Sequence, residues 1–482
     1  MNKKLPKLPI FYNKEPINFI EKFDKIKLLG KVKSRSSYIN EIDNVIFKRE
    51  NNEFSFEFDE SKLGVNKKTY EIGKLIKSGS FASATINIKF ENLFFSNLRK
   101  GFTGYVYKKS FSKQKKQYFK FIIPLKDKIN FHYQLERFYY SDEFCSWSSI
   151  GFSIEVEDEN LFLLQKDIQK GNTKKYYLIF ESDKKQSFEG FSKKIFALRV
   201  SLGYIIGDFA GERGYYFSYR GKERKKFDNF CFETQRGEIK NFMQPINSNA
   251  YAWLTTKNKK IAELIYKNYD LRTLSKKEFS TLYKVTLEND TFLAILLLML
   301  ESSESSLLLR PGGYSIILES LSSIIVGNND KINPITSRPD AKKFRLELLE
   351  VLKNYEDNEY FRDIETLKGR INNINQITNK EKLILPFKIL EINLLDEDIK
   401  IINSRNDFLH GRIPDYRNLG ESRSIKEKDN DLYYASVRFY TIINMLVLKF
   451  IGYESYVLNF AKIFEKETTY LVKEDYYRKI TT

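Results

Sequence analysis

Hydrophobic and polar residues alternate through much of the first half of the chain. Residues 54–58 read Phe-Ser-Phe-Glu-Phe and residues 84–90 read Ala-Thr-Ile-Asn-Ile-Lys-Phe. Further strand candidates, in which aromatic and β-branched residues dominate, occur at 105–107, 118–123 and 176–180. A period of two residues is typical of strands with one buried and one solvated face. Short strands at this spacing, rich in aromatic and β-branched residues, predict an antiparallel sandwich or barrel-like region.

The period changes between residues 188 and 207, where apolar residues recur at steps of three and four: Phe188, Phe191, Ile195, Leu198 and Leu202. This spacing predicts a helix. Glycines follow it at positions 203, 207, 211 and 214, but they match neither a dinucleotide-binding fingerprint nor a phosphate-binding loop. Helix packing and a tight turn are sufficient reasons for these glycines.

From about residue 245 the helical period continues to the end of the chain. It predicts helices over residues 276–302, 305–326, 341–356, 380–392, 396–410, 430–451 and 455–475. The expected fold is therefore α+β, with a basic, β-rich region over residues 1–260 and an all-α bundle over residues 261–482.

Composition narrows the classes of protein to which the chain can belong. Hydrophobic residues make up 42% of its 482 residues, which is enough for two or three packed domains. Cys145 and Cys231 are too few for a disulfide scaffold or a multi-cysteine zinc site. The longest apolar run, residues 292–300, is far shorter than the roughly 20 residues of a membrane-spanning helix. The charged residues 1–7 are not followed by the apolar segment of a signal peptide. We therefore expect a soluble, cytoplasmic protein that contacts no membrane.

The net charge of +18 comes from one part of the chain. Residues 1–260 contain 49 Lys and Arg against 30 Asp and Glu, whereas residues 261–482 contain 32 against 33. This surplus predicts a surface that faces a polyanion, although a merely soluble lysine-rich face would have the same composition. Within it, the basic stretch Lys108–Lys120 includes Phe111, Tyr118 and Phe119, which suits either base stacking or an ordinary strand pair with a lysine-rich edge.

Candidate chemistry is concentrated in residues 405–411, Arg-Asn-Asp-Phe-Leu-His-Gly. Asn406 and His410 are four residues apart, so they share a helix face and can hydrogen-bond, which would hold the imidazole in one tautomer. Arg405 is five residues before His410 and lies about 140° from it around the helix axis, so its long side chain must bend toward the face that Asn406 and His410 share. Gly411 and Pro414 are expected to end this helix. The other histidine of the chain, His132, lies among aromatic residues and is better explained as a core or surface residue.

Acidic residues near this motif have two interpretations. Glu319 lies within the apolar segment 314–321, where a buried carboxylate must find partners, either as a structural acid or as part of the site. The motif helix begins with Asp396, Glu397 and Asp398, and the macrodipole stabilises acidic side chains at the N-terminal end of a helix. We do not interpret these residues as metal ligands. The polar insertion Arg412–Asp429 follows the motif and is a candidate cover for it.

An arginine, an amide and a histidine together suit metal-independent cleavage of RNA, with the ribose 2′-hydroxyl as nucleophile. Arginine binds phosphate through paired N–H groups and neutralises charge in the transition state. Histidine moves a proton near neutral pH, an effect worth about 10²–10⁴-fold. Since each chain offers one plausible catalytic histidine, two copies meeting at the motif would supply both acid and base. The same spacing also arises by chance, and a histidine at a helix C-terminus has a purely structural explanation.

Residues 405–411, following the helix Leu394–Ser404, resemble the signature of the HEPN superfamily: an arginine, a polar residue, several others, then a histidine often followed by glycine. The particular form is similar to the C-terminal HEPN domain of ApeA-type anti-phage proteins, which also carry a β-rich N-terminal region. The resemblance implies a metal-independent endoribonuclease that acts in abortive infection and dimerises through the HEPN domain. It implies that Arg405 and His410 carry catalysis, that Asn406 and Glu319 support them, and that no cofactor or metal takes part. Arg412, which follows the glycine, is a further candidate for support.

Two other functions are compatible with the sequence. A non-catalytic protein could bind nucleic acid through the basic sheet and oligomerise through the α-bundle; its binding would be salt-sensitive and independent of Arg405 and His410. Nucleotidyl transfer is a third function, for which no triphosphate-cradling motif is present. The identity of the RNA, oligomerisation beyond a dimer and the activating signal, for which a phage-derived trigger sensed by the N-terminal region is the candidate, are left open by the sequence.

Overall fold

The structure is a computed structural model, and the residues it describes fall into several ranges: 15–25, 27–33, 41–50, 53–57, 76–82, 87–97, 102–106, 116–136, 138–142, 145–156, 159–211, 213–234, 238–240, 243–251, 259–327, 333–356, 358, 360–420 and 422–480. Most of the predicted strand at 84–90 is included, but its first three residues are not. The part 108–115 of the predicted basic stretch also lies outside the described residues.

Strands predominate in the first half of the chain and helices in the second. The helices are α1 Glu15–Phe23, α2 Phe188–Ile206, α3 Lys259–Asn268, α4 Lys276–Glu288, α5 Asp290–Glu304, α6 Arg310–Val326, α7 Arg338–Lys353, α8 Ile364–Asn372, α9 Asn379–Ile389, α10 Asp396–Asn403, α11 Arg405–Leu409, α12 Ile425–Phe450, α13 Phe460–Ile463 and α14 Glu465–Thr468. The strands are β1 Lys27–Lys33, β2 Glu41–Glu50, β3 Glu53–Glu57, β4 Ile76–Ala82, β5 Asn87–Asn97, β6 Phe102–Val106, β7 Tyr118–Leu125, β8 Phe138–Asp142, β9 Cys145–Val156, β10 Glu159–Lys170, β11 Thr173–Ser182, β12 Asp208–Phe209, β13 Arg213–Tyr219, β14 Asn229–Thr234, β15 Ile239–Lys240, β16 Tyr456–Leu458 and β17 Tyr477–Lys479.

The chain divides into two compact units. The first comprises Met1–Lys240 and Ser275–Leu287, and the second comprises Asn241–Leu274 and Glu288–Thr482. The expected α+β class is confirmed, since the strands belong mainly to the first unit and most helices to the second. The sequence placed one boundary after residue 260, whereas the contacts divide the chain after Lys240 and assign most of α4 to the first unit.

The first unit is organised around a seven-stranded antiparallel sheet with the order β14-β13-β7-β11-β10-β9-β8. Two separate three-stranded antiparallel sheets precede it, one made of β1, β2 and β3 and the other of β4, β5 and β6. The predicted helix after the strands is confirmed as α2, which Ser187 caps by accepting a hydrogen bond from the Gly190 amide. It ends at Gly207, whose φ of 69° is a left-handed conformation that glycine adopts without strain.

Helices cover both faces of the large sheet along β13. Successive side chains of this strand point to opposite faces and therefore contact different helices. On one face Tyr216 lies with its ring 5.0 Å from Phe188 of α2. On the other face Phe217 lies 6.0 Å from Phe19 of α1. Only glycine fits at position 214 of this strand, because a Cβ there would come within 2.1 Å of the Phe121 ring. The sheet is therefore the core layer of the unit along this strand.

The second unit is built around α12. From Asp431 to Leu448 its residues are buried, except that Tyr433 is half-buried, so the helix is covered on all sides as a central core helix should be. Ser424 and Glu427 form a capping box at its start, in which Ser424 Oγ accepts from the Glu427 amide and Glu427 accepts from the Ser424 amide. The helix thus begins five residues before the predicted position 430.

Several predicted helices differ from the observed ones for local reasons. Residues 276–302 form two helices because Asn289 ends α4 and caps α5 with its side chain. Residues 455–475 were predicted as one helix, which is wrong, since they contain β16 and the short helices α13 and α14. The antiparallel pair β16 and β17 is the exception to the all-α prediction in the part of this unit that the structure describes. Among the described residues, no helix has both the length and the apolar surface that crossing a bilayer requires.

Candidate active site

The predicted motif helix 396–410 is broken at Ser404. The Ser404 amide donates to the carbonyls of Lys400 and Ile401, and its hydroxyl donates back to Lys400 at 3.0 Å. Arg405 begins a separate short helix, α11, rather than continuing α10.

Phe408 holds this short helix against the core of the unit. Its side chain is 5% exposed, and its ring lies edge-on to Phe439 of α12, with centroids 5.9 Å apart. On the other side α11 approaches the first turn of α6, where a Cβ on Gly312 would lie 3.6 Å from the Phe408 carbonyl oxygen. The motif backbone is therefore placed between α6 and α12.

Arg405 is directed toward α6 and is the best-supported polar side chain of the motif. Its Nη2 forms an ion pair with the carboxylate of Glu319, and its Nη1 donates to Asn406 Oδ1 at 2.9 Å. The arginine side chain is only 13% exposed, and its Nε has no hydrogen-bond partner among the described residues. These two contacts orient the guanidinium plane of Arg405. Each Nη atom retains a second N–H group that can donate to a ligand.

Glu319 was expected to be buried in its apolar segment, and this prediction is wrong. Its side chain is 53% exposed. The apolar segment is helical, so Tyr314, Leu318 and Leu321 face the core, whereas Ile316 and Glu319 lie on the outer face of α6. The carboxylate nevertheless has a partner, because Arg405, 86 positions later, reaches it.

His410 lies at the exposed end of α11. Its amide donates to the carbonyls of Asn406 and Asp407, both at 3.1 Å, and Gly411 then turns the chain with φ 69°. Gly411 therefore ends the helix as predicted. The anticipated bond between the Asn406 and His410 side chains is not present among the described contacts, and Asn406 Oδ1 accepts from Arg405. The structure brings Arg405, Asn406 and Glu319 into contact and leaves the His410 imidazole at the surface beside them in the chain.

Arg412 is not part of the Arg405 cluster. Its Nη1 lies 3.7 Å from Asp407 Oδ1, and the arginine side chain is 73% exposed. This is a weak surface ion pair on the outer side of α11. Among the described residues, Arg412 contacts neither Arg405 nor Glu319, so no contact supports its expected role in the site.

The polar insertion after the motif is shorter than expected and folds onto α12. Arg423 donates to the carbonyls of Ile413 and Pro414 at 3.0 and 2.8 Å, and it pairs with Asp431 at 2.6 Å. Arg417 approaches the same carboxylate at 3.3 Å. Since Asp431 is fully buried, these contacts fix the loop and leave His410 exposed rather than covered.

A second buried ion cluster holds α10, the helix before the motif. Asp398 is fully buried and accepts from Arg438 Nε at 2.9 Å and from Arg478 Nη2 at 2.7 Å. Although burial raises the pKa of a carboxyl group, the guanidinium groups of Arg478 and Arg438 outweigh it and hold the pKa of Asp398 below its ordinary value. Arg438 also pairs with Glu474 at 2.5 Å. The cluster connects α10 to α12 and to β17.

Sequence reasoning missed Asp398 and Asp431 as anchors of the motif. Asp398 was interpreted as one of three acids at a helix start, but only its two neighbours are accessible there. A usable signal was Arg438, a single charge inside the apolar run 432–448, because an unpaired charge there would be very costly. No comparable pattern marks which acid would be its partner.

Among the described residues, no group of three or more His, Cys, Asp and Glu side chains is arranged to hold a metal ion. No protein-family model matches this chain, and no curated protein or solved structure is significantly similar to it.

Proposed function

We propose that this protein is a metal-independent endoribonuclease of the HEPN type. The observation that carries the proposal is the contact of Arg405 with Glu319 and Asn406, next in the chain to an exposed histidine. An arginine buried to this extent and held by two partners is oriented before any ligand arrives, which favours charge stabilisation in a transition state. The motif's resemblance to the HEPN signature supports the same reaction.

Arg405 would contact the scissile phosphate through the N–H groups that Glu319 and Asn406 leave available. As the 2′-oxygen attacks phosphorus, negative charge grows on the non-bridging oxygens, and a guanidinium binds such oxygens in pairs. The P–O bond to the 5′-oxygen then breaks. The products are a 2′,3′-cyclic phosphate on one fragment and a 5′-hydroxyl on the other.

His410 would move the protons of this reaction. One imidazole accepts the proton of the 2′-hydroxyl, and a second group must donate a proton to the departing 5′-oxygen. A single chain offers one histidine at this motif, so we propose that a second copy contributes its own His410 in a homodimer formed through the helical unit. The exposure of His410 and of its neighbour Leu409, which is 40% exposed, leaves this end of α11 accessible to such a partner.

The cellular role follows as part of the same proposal. An RNase of this kind would act in the cytoplasm as an abortive-infection effector, and the N-terminal region would sense a phage-derived trigger. If expression of a His410→Ala variant is as toxic, or as protective against phage, as expression of the wild type, this role is wrong.

The direct test is cleavage of total cellular RNA in EDTA by the purified wild type, Arg405→Ala and His410→Ala. We expect cleavage by the wild type alone, with loss of at least about 100-fold in each variant, because each removes one catalytic group. End mapping should find 2′,3′-cyclic phosphates.

His132→Ala is the matched control, because it removes the other histidine, which lies in a turn where its ring contacts Tyr133. It should cleave like the wild type. Wild-type cleavage that persists in His410→Ala would refute the proposed chemistry. RNA binding without cleavage, in the presence of phage-infected extract and unaffected by both motif variants, would identify a binding protein instead.

A further inference from the structure

Three segments far apart in the sequence meet at one end of the seven-stranded sheet. They are residues 116–118 at the start of β7, residues 183–186 after β11, and the turn 220–228 between β13 and β14. Gln117 and Gln186 exchange backbone hydrogen bonds, both at 2.9 Å, and the side-chain Nε2 of Gln117 donates to Asp228 Oδ2 at 3.0 Å. We name these three segments together the basic rim.

The turn 220–228 is fixed at its centre by a buried arginine. Arg224 has a left-handed φ of 49°, and its side chain, 1% exposed, points back into the unit. Its Nη2 donates to the Ser182 carbonyl, and its Nη1 lies 3.7 Å from Glu181. Glu181 is in turn paired with the buried Lys120 at 2.6 Å. These contacts anchor the backbone of the turn from which the other side chains project.

The remaining cations of the basic rim are exposed: Lys116, Lys184, Lys185, Arg220, Lys222, Lys225 and Lys226. In sequence the three segments contain eight Lys and Arg against three Asp and Glu, a net +5 in 16 residues of a chain whose total is +18. Two of the acids are already engaged, Asp228 by Arg220 at 2.7 Å and Glu223 by Lys225 at 2.8 Å. This concentration of exposed cations creates a positive surface.

Neither Tyr118 nor Phe119 offers a free ring face for base stacking. Cations lie over the ring of Tyr118, Lys185 at 5.5 Å and Arg224 at 5.0 Å from its centroid. Phe119 is fully buried and stacks on Phe191 of α2. For these two residues the ordinary strand interpretation of the sequence is therefore the better one. Exposed cations beside aromatic residues whose rings are already covered suit contacts with a phosphate backbone better than stacking on bases.

We infer that the basic rim binds the phosphodiester backbone of RNA without regard to sequence. The inference rests on the proposed function, since it names where the first unit would hold the substrate that Arg405 and His410 cut. Backbone binding through lysines releases counterions, so the affinity must fall steeply with salt, with a slope of about 0.7 per phosphate contacted on a single strand.

The test replaces Lys222, Lys225 and Lys226 by glutamine and leaves the buried Arg224 in place. Binding of a fluorescent single-stranded RNA is measured by anisotropy against salt, in EDTA and in a His410→Ala background that keeps the RNA intact. If all three lysines contact phosphates, the slope should fall by about 2 and affinity at 0.1 M salt should fall on the order of 100-fold. A Lys184→Gln, Lys185→Gln variant should show a smaller change in the same direction.

The control removes the same charge elsewhere, by replacing the exposed Lys342, Lys343 and Lys382 of α7 and α9 with glutamine. Equal losses in both triple variants, no loss in the basic-rim variant, or no RNA binding by the parent protein would each overturn the inference. Cleavage is measured separately with an otherwise wild-type chain. If RNA binding depends on the basic rim but the protein does not cleave RNA, the proposed function alone is refuted. If the protein cleaves RNA but binding does not depend on the basic rim, this inference alone is refuted.

Discussion

Replacing Asp398 by asparagine tests how the motif is held in place. The substitution keeps the shape and one acceptor oxygen but removes the charge that Arg438 and Arg478 share, and it directs an amide N–H group toward guanidinium N–H groups. Arg438 is 1% exposed and Arg478 is 9% exposed, so neither can recover its hydration without unfolding locally. Removing one partner of a buried ion pair typically costs about 3–5 kcal/mol, and we expect Asp398→Asn to destabilise the second unit by this amount.

Glu397→Gln is the matched control, because it removes the adjacent carboxylate of the same helix. Glu397 pairs with Lys400 at 2.7 Å, but the two side chains are 43% and 59% exposed. Such a pair contributes about 0.5 kcal/mol or less. Urea unfolding followed by circular dichroism at 222 nm reports mainly on the second unit, which contains most of the helices. A loss below about 1 kcal/mol in Asp398→Asn, similar to that in Glu397→Gln, would refute the reasoning.

The same variant has a defined pH dependence. The pKa of Asp398 is lowered in the folded protein, so its stabilisation is complete above the unfolded pKa of about 3.9 and is lost as pH falls through the lower folded value. The difference in unfolding free energy between wild type and Asp398→Asn should therefore stay constant from pH 7 to about pH 5 and shrink below about pH 4. A difference that persists unchanged in acid would show that charge is not its origin.

Three further outcomes are expected. Gly411→Ala should destabilise the second unit by about 1–2 kcal/mol, because φ is 69° there, whereas Gly369→Ala inside α8 should stabilise it by about 0.5–1 kcal/mol; urea unfolding that moves both the same way would contradict this. Asp431→Asn should release the loop that precedes α12, so trypsin should cut after Arg417 and Arg423 faster than in wild type, and an unchanged digestion rate would count against the anchor. Under the proposed function, Glu319→Ala should lower RNA cleavage about tenfold, since an ion-paired hydrogen bond to a half-exposed carboxylate contributes about 1.4 kcal/mol; full activity would remove Glu319 from the site.

Local sequence was sufficient for features that depend on neighbouring residues. The three-and-four spacing from Phe188 to Leu202 placed α2, since helical period and burial on one side are read directly from the order of residues. Gly411 ended the motif helix because glycine adopts the left-handed conformation without strain. The break at Ser404 was missed, because the sequence has no glycine or proline there to indicate the end of a helix.

Only the tertiary structure decided which charges are buried. Glu319 and Arg438 are both single charges within apolar helical runs, so their local patterns are alike. α6 leaves one face open, and Glu319 lies on that face at 53% exposure, whereas α12 is enclosed and Arg438 is 1% exposed. The pairing of Glu319 with Arg405 and of Arg438 with Asp398 likewise joins residues 86 and 40 positions apart. Burial and partnership depend on which helices pack together, which is a property of the whole unit and not of any one segment.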